Sequence, residues 1–260
     1  MPALFITGTD TGVGKTVVSA LLTRALRNLG VDCVAMKPLA SGCEWVNDEL
    51  RSEDADFLRA VGGFDAPLDL VCPVRLELPL APLVAAEERD IETRDFAERA
   101  RAAFEKLQAK HEFVVVEGVG GWFVPLWRRD DGTMATCADL VRDWDLPVVV
   151  VARRALGTIN HTVLTCRAVC EVAELHGVVF CDAAPIAFDD LAAQTSPRIA
   201  CELAVTRELA RVPFGADWDA VSHELQALAR EVLKRRTRAL CGKSDIKSQP
   251  TKRSAFADTT

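Results

Sequence analysis

The chain has 260 residues, 49% of them apolar and 27% charged, with a formal net charge of -7. These proportions exclude disordered, collagen-like and mucin-like chains, and the length fits one large or two small domains. The acidic balance argues against a broad surface for nucleic acid, while leaving room for a narrow pocket around a phosphorylated ligand.

Residues 1–7 (MPALFIT) are an apolar run that stops at Gly8, as expected of a strand buried on both faces. A glycine-rich loop follows. From Gly14 to Leu29 the apolar residues Val18, Leu21, Leu22, Ala25, Leu26 and Leu29 share one helical face, and Gly30 stops the helix. Val31 to Met36 reads as a second strand, ending at Lys37-Pro38. A helix over Ile91 to Lys110 precedes a strand over Phe113 to Val116, which ends at Glu117-Gly118. A strand over Val148 to Ala152, a helix over Thr158 to Leu175 and a strand over Gly177 to Cys181 continue the pattern. The alternation predicts an α/β fold of one domain over residues 1–240, a mostly parallel sheet with helices on both faces. Ligands of such sheets bind beyond the carboxyl ends of the strands. Residues 241–260 are polar and aperiodic, and nine basic against two acidic residues lie between 230 and 253. That composition predicts a solvated, disordered basic tail with no nucleic-acid role.

Nine cysteines include no CxxC pair, and their odd number does not suit a disulfide framework. They read as buried or half-buried thiols of a reducing compartment. Neither a basic-then-apolar leader nor a run of roughly 18 apolar residues is present, which predicts a cytoplasmic protein without a membrane span.

The strongest chemical signal is Gly8-Thr9-Asp10-Thr11-Gly12-Val13-Gly14-Lys15-Thr16, between a strand and a helix. Backbone N–H groups of such a loop cradle phosphate oxygens. Lys15 would reach the β/γ-phosphates and the Thr16 hydroxyl would ligate Mg2+. Five residues, not the usual four, separate Gly8 from Gly14. Lys37, at a strand end, is placed to stabilise charge on a transferring phosphoryl group, and Ser41 and Gly42 offer donors to an anion. Glu117 ends a buried strand, where a carboxylate needs compensation that Mg2+ would supply. Mg2+ favours one or two carboxylates beside phosphates and water, but spacing alone does not say which aspartate joins Glu117. Asp54 lies in the charge run 51–56, which by composition reads as a solvated helix start. Gly157-Thr158 is a helix-start signal with exposed N–H groups suited to a carboxylate.

Taken together, GTDTGVGKT, KPLASG, VEGVGGWFVPL and LGTINHT resemble the dethiobiotin synthetase family in order and spacing, over roughly residues 3–235. The extra loop residue is a feature of that family. The resemblance implies a cytoplasmic, homodimeric P-loop enzyme of biotin synthesis, an ATP- and Mg2+-dependent cyclo-ligase. It would join CO2 to 7,8-diaminononanoate through a carbamate and a carbamic-phosphoric anhydride, giving dethiobiotin, ADP and phosphate. It further implies that Lys37 and Lys15 flank the γ-phosphoryl group and that Thr16, Asp54 and Glu117 hold Mg2+. Nucleotide contacts would come from Gly12, Val13, Gly14, Lys15, Thr16, Val17, Asp54, Glu117, Gly118, Val119, Gly120, Cys181 and Pro213. Thr11 and Ser41 would meet the carbamate or diamine end, and Gly157, Thr158 and Asn160 would serve the diamine site of the partner subunit.

Two positions depart from the family pattern. Cys181 stands where the family has an adenine-reading Asn, and a thiol lacks the paired donor and acceptor of an amide. The loop Val212-Pro213-Phe214-Gly215 also differs. Both predict looser discrimination among ATP, CTP and GTP. The alternative is a regulatory or partitioning P-loop ATPase, but those carry an early loop lysine where this chain has Thr9 or Asp10. A corrinoid-amidating ligase would need a further glutaminase domain.

Overall fold

Six parallel strands form the central sheet in the computed structural model, which describes residues 3–215, 218 and 225–234. β1 (Ala3–Gly8) leads through the glycine-rich loop to α1 (Lys15–Asn28) and β2 (Cys33–Met36). Short pieces follow: β3 (Leu39–Ser41), the hairpin β4 (Glu44–Val46) and β5 (Glu49–Arg51), α2 (Glu53–Gly62), α3 (Leu68–Val71), β6 (Val74–Leu76) and α4 (Pro82–Glu87). α5 (Phe96–Lys110) returns the chain to β7 (Phe113–Glu117). A second hairpin, β8 (Pro125–Arg128) and β9 (Met134–Thr136), and α6 (Cys137–Trp144) precede β10 (Val148–Ala152). The remaining elements are α7 (Thr158–Cys170), β11 (Leu175–Cys181), α8 (Leu191–Leu203) and β12 (Glu208–Val212), and residues 225–234 are helical.

The sheet order is β12-β11-β10-β1-β7-β2. Every residue of β1, β2, β7 and β10 is buried. Because successive side chains point to opposite faces, this means both faces of the sheet are covered. α1 packs on β1, β2 and β7, α5 on β7, α7 on β10 and β11, and α8 on β12. From β1 the chain winds one way to β2 and β7 and the other way to β10, β11 and β12. β1 is therefore the switch point, where sheets of this kind bind ligands.

Two helices are shorter than their periodicity predicts. The helix expected from Ile91 starts at Phe96, after a turn in which Asp90 adopts φ 53°. The helix expected to reach Leu175 stops at Cys170. Val172 and Ala173 both turn back to the Val169 carbonyl, and Leu175 already pairs with Val148 on the sheet ladder. An apolar residue in phase with a helix can equally open the next strand, and here ladder pairing takes Leu175, so β11 begins two residues before the expected Gly177.

Periodicity also misses the segment between β2 and α5. β3 pairs with β6 as a separate two-stranded parallel sheet, and the β4–β5 hairpin turns at Asn47 and Asp48, both at positive φ. Strands of three residues are too short to show a period. All eight described cysteines are free thiols, and seven are buried. Burial pushes the thiols of Cys72, Cys166 and Cys181 up to about 12, which keeps them protonated and unreactive. The expected domain end at Leu240 and the tail 241–260 lie outside the described residues.

Candidate active site

Residues 9–14 cross from β1 to α1 at the switch point. The Thr9 N–H donates to the Val151 carbonyl at 2.9 Å, tying the loop to β10. Gly14 is the N-cap of α1 with φ 95°, and a Cβ there would lie 2.3 Å from Cys181 Sγ. Only glycine satisfies both the left-handed backbone and the close approach. The first turn of α1 carries no acidic side chain and no side-chain cap, so its N–H groups and dipole face outward toward an anion. Val13 is buried and anchors the loop, while Thr11 and Gly12 are exposed at its apex. Lys15 curls back over the loop, and its Nζ donates to the Asp10 carbonyl at 3.0 Å. Burial draws the Lys15 ammonium below the ordinary lysine range, with Glu117 opposing that shift. Val17, one residue into the first turn, is half-buried against the core.

Beside the loop, four strand or helix ends bring four side chains together. Lys37 follows β2, Glu117 ends β7, Asp54 lies in the first turn of α2 and Thr16 in that of α1. Lys37 Nζ donates to Glu117 Oε1 at 3.0 Å and to Asp54 Oδ2. The Thr16 hydroxyl lies 2.7 Å from Glu117 Oε1 and 3.1 Å from Asp54 Oδ1. Glu117 is fully buried and Lys37 is 5% exposed. Burial would lower the Lys37 ammonium, but Glu117 and Asp54 outweigh it and hold the lysine charged, above its ordinary range. Burial also pushes the Asp54 carboxyl up, and Lys37 overcomes this and takes it below the usual carboxylate range. Glu117 is raised by its burial, and Lys37 pulls against that shift. The spacing of the sequence left Asp54 open as a plain helix-start residue; the fold puts it in the cluster.

The donor set suits Mg2+. Two carboxylates and a hydroxyl are hard oxygen ligands beside a phosphate loop, and no described residues form a cluster of three or more His, Cys, Asp and Glu side chains able to hold a metal. Glu117 Oε2 is buried and, among the described residues, nothing donates to it. A void of about 10 Å³ beside Glu117 is lined mainly by apolar side chains, Phe5, Leu39, Leu126 and Leu140 among them. The other oxygen, Oε1, faces Thr16 and Lys37, and on that side a cation would meet the carboxylate.

The loop after β7 closes over β1. The Gly118 N–H donates to the Ile6 carbonyl at 2.9 Å, and a Cβ on Gly118 would strike the Phe5 ring at 2.7 Å. The Val119 carbonyl accepts from the Cys137 thiol, and a Cβ on Gly120 would lie 3.6 Å from the Thr11 hydroxyl. Ser41, half-buried, ends β3. On the other flank, Cys181 pairs in register with Val212, and the Asp182 N–H donates to the Val212 carbonyl, which places Pro213 beside them. Gly157 is the left-handed N-cap of α7, Thr158 is buried with its hydroxyl 3.3 Å from that of Thr162, and Asn160 is exposed. None of the hydrogen bonds within the Lys37 cluster reaches these three residues.

Sequence inspection missed three contributors. Ser52 caps α2, its hydroxyl accepting from the Ala55 N–H at 3.3 Å, and so fixes the turn that carries Asp54. Arg153, just past β10, reaches Asp10 of the loop at 3.3 Å. Arg154 grips Asp182 with two N–H bonds from one guanidinium edge, Nε to Oδ1 and Nη2 to Oδ2. A serine before an acidic helix start, and two arginines at a strand's carboxyl end, were the available signals.

Residues 2–222 match a family described as an AAA domain. Over 213 residues the chain is 39% identical to the ATP-dependent dethiobiotin synthetase BioD of Thermodesulfovibrio yellowstonii, covering 81% of this chain and 88% of that one. The chain belongs to the dethiobiotin synthetase family. The dethiobiotin synthetase of Anaeromyxobacter dehalogenans is 48% identical over 170 residues, 65% of this chain and 70% of that one. Dethiobiotin synthetases are ATP-dependent cyclo-ligases of biotin synthesis, and this chain is an enzyme of that group. Among solved structures, the cell division ATPase MinD of Pyrococcus furiosus aligns with a TM-score of 0.54 at 14% identity, over 90% of this chain and all of that one. That likeness shows the P-loop NTPase fold alone. Among the described residues, no helix is long and apolar enough to cross a membrane.

Proposed function

We propose that this dethiobiotin synthetase closes the ureido ring of dethiobiotin from 7,8-diaminononanoate, CO2 and ATP, releasing ADP and phosphate. The observation that carries this reading is the Lys37–Asp54–Glu117–Thr16 cluster, enclosed at Lys37 and Glu117, beside a phosphate loop in a chain that belongs to this family. One substrate amine adds to CO2 and loses a proton to give a carbamate. A carbamate oxygen attacks the γ-phosphorus of ATP, the bond to ADP breaks, and a carbamic-phosphoric anhydride forms. The second amine then attacks the carbonyl carbon, and phosphate leaves as the ring closes.

Phosphoryl transfer of this kind needs positioning and charge neutralisation more than a protein nucleophile. The loop N–H groups of Gly12, Val13 and Gly14 hold the phosphates, and Lys15 and Lys37 flank the group in transfer. Thr16, Asp54 and Glu117 are the residues that would hold Mg2+, which when bound neutralises phosphate charge. Val17, Gly118, Val119 and Gly120 line the nucleotide, and Cys181 and Pro213 lie toward its base. Thr11 and Ser41 orient the carbamate end. The enzyme acts as a cytoplasmic homodimer in which Gly157, Thr158 and Asn160 of the partner subunit complete the diamine site. Residues 1–240 form the catalytic domain.

The test is an assay for dethiobiotin with diaminononanoate, bicarbonate, Mg2+ and each nucleoside triphosphate in turn. Dethiobiotin formation is expected. No turnover with any nucleotide, together with ATP hydrolysis stimulated by a protein or DNA, would overturn the proposal in favour of a regulatory ATPase.

A further inference from the structure

The two carboxylates suited to Mg2+ already share a cation that belongs to the chain. The Lys37 ammonium donates to Glu117 Oε1 at 3.0 Å and to Asp54 Oδ2, so one charge bridges a fully buried glutamate and a half-buried aspartate. The Thr16 hydroxyl touches the same two carboxylates, at Glu117 Oε1 and Asp54 Oδ1. Without a bridging charge, two carboxylates gathered on one hydroxyl would repel each other, and the buried one would be uncompensated. Lys37 is therefore doing in this structure what a divalent cation does for such a pair. The lone pairs that accept the lysine N–H bonds are those a hard metal would take. An ammonium and a divalent ion a few ångströms apart also repel strongly in a buried site.

We propose that Lys37 and the divalent cation are mutually exclusive partners of the Asp54–Glu117 pair. Lys37 holds the two carboxylates in place while the site is free of nucleotide, and it gives them up when metal and nucleotide enter together. Release then turns the ammonium from a structural bridge into a free cation beside the phosphate loop. Two consequences follow. Metal binds poorly to the nucleotide-free enzyme, because it must displace a bonded ammonium. Lys37 reaches the reacting group only once the metal is in place, which couples its delivery to a complete site. The proposal deepens the Mg2+ assignment above and rests on it.

The test measures Mn2+ binding to the full chain without nucleotide and without turnover, by the free-ion electron paramagnetic resonance signal. Lys37→Met is expected to bind Mn2+ at least about tenfold more tightly than the wild type, because both competition and repulsion are removed. Adding Asp54→Asn to Lys37→Met should abolish that gain. Equal or weaker binding by Lys37→Met would overturn the proposal. Should that variant fail to fold with Glu117 uncompensated, the wild type still decides the matter. In protein labelled with 15N-lysine, the Lys37 Nζ resonance should shift when Mg2+ and a non-hydrolysable ATP analogue are added together, and an unchanged resonance would overturn exclusion. Neither readout needs dethiobiotin. An enzyme that shows the exchange but makes no product would sink only the functional proposal, and the converse only this one.

Discussion

The ligand edge of the sheet is built in two ways on either side of β1. On the β7–β2 side, charged groups are buried and interlocked: Lys37 and Glu117 are almost completely enclosed, and Thr16 and Asp54 bond to the same network. On the β10–β11–β12 side the chain offers a protonated thiol packed under Gly14, an Arg154–Asp182 pair and an exposed proline. Buried charges tolerate few alternative geometries, because losing a partner leaves an unpaired charge in a poor solvent. The Arg154–Asp182 pair is enclosed too, but the thiol and the exposed proline beside it impose much less. The phosphate side should therefore be exacting, and the base side permissive.

The contrast predicts its largest effect at Lys37. Lys37→Ala should lower kcat by roughly 10²-fold or more, as for loss of a donor aimed at developing charge. A fall of less than about threefold in a steady-state assay would take Lys37 off the catalytic list. Gly14, where the two sides meet, comes next. Gly14→Ala adds a Cβ 2.3 Å from Cys181 Sγ and 2.9 Å from its Cβ, at φ 95°. Overpacking and backbone strain together should destabilise the fold by about 1–3 kcal/mol in urea denaturation. Adding Cys181→Gly should restore only part of this, since the φ strain remains. Full restoration would mean that the contact alone demands glycine.

A smaller effect is expected at Asp139, which supports the exacting side through α6. Its carboxylate accepts from the Thr136 N–H and hydroxyl, both at 2.8 Å, and pairs with Arg129 and Arg142. Burial pushes the Asp139 carboxyl up, but the Thr136 bonds and Arg129 outweigh it and bring it down to about 2. A carboxylate held below its unfolded value stabilises the fold above that value and loses this contribution as pH falls through the folded one. The window is therefore roughly pH 4 down to 2. Asp139→Ala should lower stability at pH 7 by about 0.5–2 kcal/mol, as for loss of a helix cap, and should flatten the acid limb of a stability profile over that window. An acid limb identical to that of the wild type would show that Asp139 is not its source.

What could be read from the chain alone follows the same division. Five of the six sheet strands were legible because burial on both faces leaves unbroken apolar runs, and the phosphate loop because its glycines and Lys15-Thr16 are contiguous; the edge strand β12, with charged and half-buried residues, left no such run. Asp54 was not legible from spacing, since a first-turn aspartate looks the same whether solvated or aimed at Lys37. Its place depends on a 3-residue strand, a hairpin and the Ser52 cap, all too short for periodicity to register. The Arg154–Asp182 grip joins residues 28 positions apart just beyond the ends of β10 and β11, and no local pattern marks it.

The smallest expected effect lies at the base-side position itself. Cys181 is 3% exposed, with its sulfur against Gly14, so it presents no donor–acceptor pair to a purine edge. Asn is close in volume to Cys, and at the end of β11 its amide would have Pro213 and the Asp182 backbone as neighbours on the strand-end side. Cys181→Asn should leave kcat with ATP within about threefold, because Lys15, Lys37, Asp54 and Glu117 keep their partners. It should instead widen the gap in kcat/KM between ATP and the other nucleotides, since a site that hydrogen-bonds a base penalises one that leaves its groups unpaired. Competition assays with ATP, CTP and GTP on the two proteins would measure this. A nucleotide ranking that does not change would mean that base preference is set elsewhere, with the Arg154–Asp182 pair the next position to alter.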